Sequence, residues 1–137
     1  MLTASFTLAY WCVLIAALLP LVCTGIAKWG MFTTPPQHGG FDNNNPRAWL
    51  TQQTDWRARA NAAQANSFEA LPFFIGAVVI AHQLGAQQGL VNALAALFVL
   101  LRLVYVGLYL GNKAGLRSVV WMLAFGANIA ILFAGYR

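Results

Sequence analysis

Between Arg57 and Pro72 the sequence reads Arg-Ala-Arg-Ala-Asn-Ala-Ala-Gln-Ala-Asn-Ser-Phe-Glu-Ala-Leu-Pro, and most of the chain's polar chemistry is placed there. An apolar run from Phe73 to Ala81 follows directly. In a helix, residues three and four apart share a face. Arg59, Ala62, Asn66 and Glu69 therefore form one stripe, with Asn66 and Glu69 one turn apart. Glu69 lies about 15 Å along the axis from Arg59 at ~1.5 Å per residue. A carboxylate at that depth in a membrane marks a functional site, because burying its charge in hydrocarbon is costly. A second polar set, Arg102, Tyr105 and Tyr109, recurs at spacings of three and four, and Arg117-Ser118 opens the last apolar segment.

The elements that must hold these residues are membrane spans. Of 137 residues, 60% are hydrophobic and only 8% charged, against about 25% charged in soluble domains. Mean hydropathy is +0.64. The formal net charge of +5 comes from dispersed basic residues, which suit membrane topology rather than nucleic-acid binding. Cys12 and Cys23 stand about 16 Å apart along one helix, too far to bridge, and read as apolar packing residues.

Four spans follow. Ser5 to Ala27 is uncharged and long enough to cross a core of about 30 Å. It is expected to be a span rather than a cleaved signal, since no Lys or Arg precedes it. Pro20 should bend this helix without ending it. Lys28 and Trp29 mark the interface. Gly30 to Thr54 loses all apolar periodicity and reads as an aqueous connection, with Asn45-Pro46 starting a short helix through Trp49 and Gln53. His38 in this loop has no Cys or carboxylate at ligand spacing, so no metal is expected. The second span runs from about Asn61 to His82 and should bend near Glu69, because Pro72 deprives the Phe68 carbonyl of its donor. The third covers about Leu90 to Leu110 and the fourth about Arg117 to Tyr136, with glycine-containing turns at Gly85–Gly89 and Gly111–Gly115. The fold class is all-α and integral to the membrane: one four-transmembrane-helix domain over residues 1–137.

Depth pairs the two intramembrane charges. Arg102 precedes Lys113 by 11 residues, about 16 Å, which matches the depth of Glu69. An unpaired charge there costs several kcal/mol, so spans two and three are expected to pack with Glu69 facing Arg102. Asn66, Tyr105, Tyr109 and Arg117 would then wall a polar cavity. Tyr105, about 12 Å below Lys113, is too deep to be an interfacial anchor. The pair alone is equally compatible with a purely structural role.

These motifs resemble those of the MAPEG family, the membrane-associated proteins of eicosanoid and glutathione metabolism, and are most similar to its bacterial members. The likeness rests on Asn66-x-x-Glu69-x-x-Pro72 with Arg59 ten residues before the Glu, on Arg102-x-x-Tyr105-x-x-x-Tyr109, and on Arg117-Ser118, in order over nearly the whole chain. It implies a homotrimer in a bacterial inner membrane, with glutathione bound between subunits near the cytoplasmic face. Asn66 and Glu69 would hold polar groups of the tripeptide, Tyr105 and Tyr109 would line its site, and Arg117 would sit near the sulfur. Two positions depart from the pattern: an Arg found in the family seven residues before the Glu is Ala62 here, and a Tyr just after it is Ala70. Either Arg59 or Lys28 replaces the missing anchor, or the ligand differs.

The function implied is a glutathione-dependent transferase or peroxidase. It would act on lipophilic electrophiles or lipid hydroperoxides reaching it from the membrane lipids, with Arg117 as the catalytic cation aided by Ser118 and the helix end. A snorkelling interfacial cation is the bland alternative for Arg117. A non-enzymatic lipid-binding scaffold on the same fold is the alternative function. A proton-coupled exporter using Glu69 is disfavoured by the expected pairing of Glu69 with Arg102.

Topology follows from the basic residues. Lys28, Arg47, Arg57, Arg59, Lys113 and Arg117 flank the two connections on one side, and only Arg137 lies on the other. Those connections should be cytoplasmic. A reporter fused after Arg137 is expected to be active only outside the cytoplasm; activity confined to the cytoplasm would overturn this orientation.

Overall fold

The computed structural model describes residues 5–137. Helix α1 spans Leu8–Lys28, α2 Pro46–Thr51, α3 Asp55–Gln83, α4 Gln88–Leu110 and α5 Ala114–Phe133. Among the described residues α1, α3, α4 and α5 are long and apolar enough to cross a membrane. They alternate in direction, joined by the long 29–45 segment with α2 at one end, the loop end, and by a tight turn between α3 and α4 at the other. Leu84 in that turn lies against Gly135, so the end of the chain meets the α3–α4 turn at the end opposite the loop.

Small residues at helical spacing let α1 approach α3 closely. Ala9, Cys12, Ala16, Cys23 and Ala27 are buried on α1, and Ala60, Ala63, Ser67, Ala77 and Ala81 on α3. Lipid tails are as apolar as leucine, so close van der Waals packing of small side chains, rather than hydrophobic burial, holds such helices together. Both cysteines are free and buried in this seam, as packing residues. Phe74 and Phe98 stack at 4.2 Å between α3 and α4. These two helices form the centre, each packed against all three other long helices, with α1 and α5 outside.

Pro20 and Pro72 both lie inside unbroken helices. At Pro20 the carbonyl accepts from Thr24 Oγ1 at 3.1 Å, one way a polar side chain is satisfied in a span without a partner helix. The boundaries differ from expectation in two places that bear on the site. Helix α3 begins at Asp55, six residues before the expected start, because its polar first turns are anchored to neighbouring helix ends. Arg57 Nη1 donates to Ala27 O at 2.8 Å and Arg59 Nε to Leu110 O at 3.0 Å. The carbonyls that α1 and α4 leave without helical donors are thus capped by cations, which also suit the negative ends of those helices. Helix α5 begins at Ala114, so Arg117 and Ser118 fall in its second turn.

The long connection is folded. Trp49 and Leu50 are buried against Ala27 and Ala60, Trp49 Nε1 donates to Gly39 O at 3.2 Å, and Phe41 packs edge-on to Trp49 at 5.4 Å. Gly39 takes a φ of +87°, and a Cβ on Gly40 would overlap the Thr34 carbonyl, so both positions require glycine. Asn45 precedes α2 as expected, but its side chain makes no capping bond; its carbonyl accepts from Trp49 N instead.

The α1–α3 seam predicts that Ala63→Leu, at a fully buried position, overpacks the interface and lowers stability by about 1–3 kcal/mol. Thermal unfolding in detergent measures this, and a melting temperature equal to wild type would contradict the packing.

Candidate functional site

Arg102 is the deepest charge, 3% exposed, projecting from α4 toward α3. Its Nη2 donates to Asn66 Oδ1 at 2.8 Å and to Ser67 Oγ at 3.4 Å. Asn66 Nδ2 in turn donates to Glu69 Oε2 at 3.3 Å. The expected face-to-face ion pair is therefore corrected: the Asn66 amide stands between the two charges and joins them. An amide has both an acceptor and donors, so it can accept from the cation and donate to the anion at once. Direct contact is unnecessary, and Glu69 stays on the exposed side of α3.

From Arg102 a line of contacts runs toward the loop end. The guanidinium lies 4.2 Å over the Tyr105 ring, Tyr105 meets Tyr109 edge-on at 5.7 Å, and the Arg117 guanidinium lies 4.1 Å over the Tyr109 ring. Cation–aromatic contacts of this kind contribute about 0.5–2 kcal/mol each, more when desolvated. Spacing of three and four on α4 places the tyrosines on one face, and the short α4–α5 turn brings Arg117 back over it. Tyr105 is buried, as its depth demanded. The two cations differ in their contacts: Arg102 Nη2 is engaged by Asn66 and Ser67, whereas the contact of Arg117 is a ring face.

Two cavities adjoin this line. One of about 220 Å³ is walled by Tyr105, Arg117, Ser118, Trp121 and Met122. A deeper one of about 110 Å³ lies among α3, α4 and α5 and is lined by Asn66, Glu69, Arg102 and Trp121, with Phe73, Phe98, Phe125 and Asn128. Trp121 borders both. Of the residues singled out from the sequence, Asn66, Glu69, Tyr105, Tyr109, Arg117 and Ser118 gather along this connected surface. Lys28 and Arg59 lie elsewhere: Lys28 Nζ sits 4.2 Å over the Phe41 ring, and Arg59 caps α4 through Nε, leaving its two terminal nitrogens without that commitment.

Ser118 lies beside Arg117 on the wall of the larger of these two cavities. Ser118 Oγ donates to Ala114 O at 3.1 Å. The first bond of α5 runs from Arg117 N to Lys113 O at 2.9 Å, so Arg117 directly follows the N–H groups that the helix start leaves free. Arg117 is thus the cation that can face an anion here. Sequence reasoning also passed over Ser67, Trp121 and Asn128. The last had a legible signal, a single amide in an otherwise apolar span.

A comparison with protein families matches the MAPEG family over residues 8–136. No curated protein and no solved structure matches the chain.

Because Asn66 is the direct partner of Arg102, Asn66→Leu should cost about 2–4 kcal/mol, leaving a buried cation short of its acceptor. Glu69→Gln should cost under about 1 kcal/mol, since the new amide oxygen still accepts from Asn66. Thermal denaturation should also find Asn66→Leu with Arg102→Leu less damaging than Asn66→Leu alone. Simple addition of the two losses would show that the pair is not coupled.

Proposed function

The chain belongs to the MAPEG family, multi-pass membrane proteins of eicosanoid and glutathione metabolism, and on that premise we propose that it is a glutathione-dependent transferase or peroxidase of a bacterial inner membrane. The observation that supports this reading most is the Arg117 guanidinium, held over Tyr109 beside the 220 Å³ cavity. Its charge is not taken up by a carboxylate among the described residues.

The donor set fits glutathione. The tripeptide carries two carboxylates, an ammonium, two amides and a thiol. Asn66 and Glu69 offer a half-exposed amide and an exposed carboxylate for the ammonium and peptide groups, Tyr105 and Tyr109 offer phenol edges, and Arg117 offers the cation for the sulfur. The terminal nitrogens of Arg59 remain for a carboxylate in place of the arginine that Ala62 lacks. Glutathione supplies a sulfur nucleophile that adds to a lipophilic electrophile or reduces a lipid hydroperoxide.

The task of Arg117 is electrostatic. Half-ionising a thiol of pKa about 8.5 at pH 7 requires ~1.5 units, or about 2 kcal/mol, of differential stabilisation. A guanidinium about 4 Å from the sulfur at an effective dielectric of ~20 supplies about 4 kcal/mol, which is sufficient without Ser118 or the helix end. Tyr109 orients the guanidinium by holding its flat face. The apolar partner arrives laterally from the bilayer, since the outer faces of the helices are lined by large apolar side chains such as Leu14, Leu18, Trp121 and Phe125.

Glu69 supports assembly. It is exposed on the protomer about 15 Å below the membrane surface, where hydrocarbon would penalise it by several kcal/mol. Covering by a neighbouring subunit and by polar groups of glutathione removes that penalty, and a homotrimer with the ligand between subunits does both. One observation favours a second reading, a lipid-binding scaffold: Lys28, held over Phe41, and Arg59, tied by Nε to the end of α4, both lie away from the cavity at Arg117.

The two readings separate by ultraviolet absorbance. Glutathione added to the protein at neutral pH should develop a thiolate band, and Arg117→Ala should abolish it while weakening binding much less, because the guanidinium acts chiefly on the ionised sulfur. Binding without a thiolate band in wild type, or a band unchanged by Arg117→Ala, would favour the scaffold.

A further inference from the structure

At the end of the bundle opposite the loop, a hydroxyl, an imidazole and a carbonyl stand in one line of hydrogen bonds that the thiol chemistry does not use. Thr7 caps α1, its Oγ1 accepting from Tyr10 N at 3.4 Å. The same oxygen lies 2.9 Å from Nε2 of His82, in the last turn of α3, and Nδ1 of that ring lies 2.7 Å from Val78 O. The partners fix where the hydrogens are. A carbonyl only accepts, so Nδ1 carries the hydrogen, and Nε2 of the neutral ring is left as the acceptor. Thr7 therefore donates its O–H to Nε2, while the helix-cap bond occupies only a lone pair of the same oxygen. Tyr10 stacks on the imidazole at 4.3 Å with 18° between the planes, so the tautomer and the plane of the ring are both set. A cavity of about 480 Å³ opens beside Thr7, Tyr10 and His82, with Ser5, Gln83 and Gln88 on its other walls. A tie between two helices needs only the bond from Thr7 to His82. The fixed tautomer, the held ring and the open cavity are in addition what a hydroxyl nucleophile, its base and an orienting group require.

We propose that Thr7 and His82 are the nucleophile and general base of an ester-hydrolysing site, with Val78 O orienting the base, and that its substrate is a carboxylic ester carried by a lipid. The walls of the cavity are polar and carry no carboxylate, lysine or arginine, which suits a neutral ester. The site lies where the spans end and hydrocarbon gives way to headgroups, the level at which a lipid presents the esters of its acyl chains. Exposed Phe6 and Trp11, 5.1 Å apart, mark the same level, as interfacial aromatic residues do. In the first step Thr7 Oγ1 bonds to the acyl carbon as its proton passes to His82 Nε2; the bond from that carbon to the alcohol oxygen breaks, and the alcohol leaves with the proton from Nε2. Water then adds to the acyl-threonine, giving a proton to Nε2 that returns to Thr7 Oγ1 as the acid leaves. One ester and one water become one acid and one alcohol. The hydroxyls of Ser5 and Tyr10 and the amide of Gln83 share the cavity in which the carbonyl oxygen gathers charge, and donors placed there stabilise it. The site needs neither Arg117 nor glutathione.

The test gives p-nitrophenyl octanoate, without glutathione, to the full chain in nanodiscs of ether-linked lipids, which offer no competing ester. Release of p-nitrophenol is corrected for empty nanodiscs. Wild type should turn over repeatedly, and mass spectrometry of acid-quenched protein should find an octanoyl group on Thr7. Thr7→Ser should keep both signals. Thr7→Val, close in shape but without the hydroxyl, should lose both. His82→Gln, whose amide oxygen still accepts from Thr7 but takes no proton, should slow release by about 100-fold or more. A bond that only ties α1 to α3 would change the melting temperature of these variants and none of the other readings. Release no faster than in empty nanodiscs, release that survives Thr7→Val or His82→Gln, or a Thr7 left without an octanoyl group overturns the proposal. If Thr7→Val fails to fold, His82→Gln and the position of the octanoyl group decide.

Discussion

A guanidinium in the middle of a membrane bundle must find acceptors within the protein, and most of the site is arranged around that constraint on Arg102. Hydrocarbon offers it nothing, so α3 and α4 are held in the one register that brings Asn66 and Ser67 to its Nη2. Tyr105 covers its face. With Arg102 satisfied by neutral acceptors, Glu69 is released from direct pairing and remains on the outer side of α3. Interposing the amide therefore leaves a deep, exposed carboxylate on the outer face of α3.

The same logic applies at the loop end. Antiparallel helices bring the C-termini of α1 and α4 to the membrane surface with unsatisfied carbonyls, and the first turns of α3 insert Arg57 and Arg59 between them. Basic residues that read as a topology signal are also the caps that hold three helices together at that surface. The folded 29–45 segment closes over them through Trp49 and Phe41.

Arg117 and Asn128 lie on the same outer helix, α5, with Trp121 between them. One is a cation near the surface, the other a neutral amide buried deep in the span. The small-residue seam holds α1 closely against α3 through small buried side chains.

The number of spans, the polar stripe of α3, the tyrosine face of α4 and the depth of Tyr105 were legible in the sequence, because helical periodicity and hydrocarbon thickness are local constraints that depend only on residue order. The family was legible for the same reason, its motifs lying on single helices at fixed spacing. What the tertiary structure decided are contacts between helices. That Arg102 bonds to Asn66 rather than Glu69 depends on the rotation of α4 against α3, which depth alone does not determine. That Arg59 caps α4 depends on which helix ends meet. That Arg117 and Ser118 lie inside α5 rather than at its head follows from α5 starting at Ala114, since glycine and alanine ahead of Arg117 can either turn or extend the helix. Asn128 was visible as a lone amide, but the missing partner of its buried Oδ1 and the cavity beside it exist only once three helices enclose them. Unsatisfied hydrogen bonding belongs to the packed bundle and not to the residue.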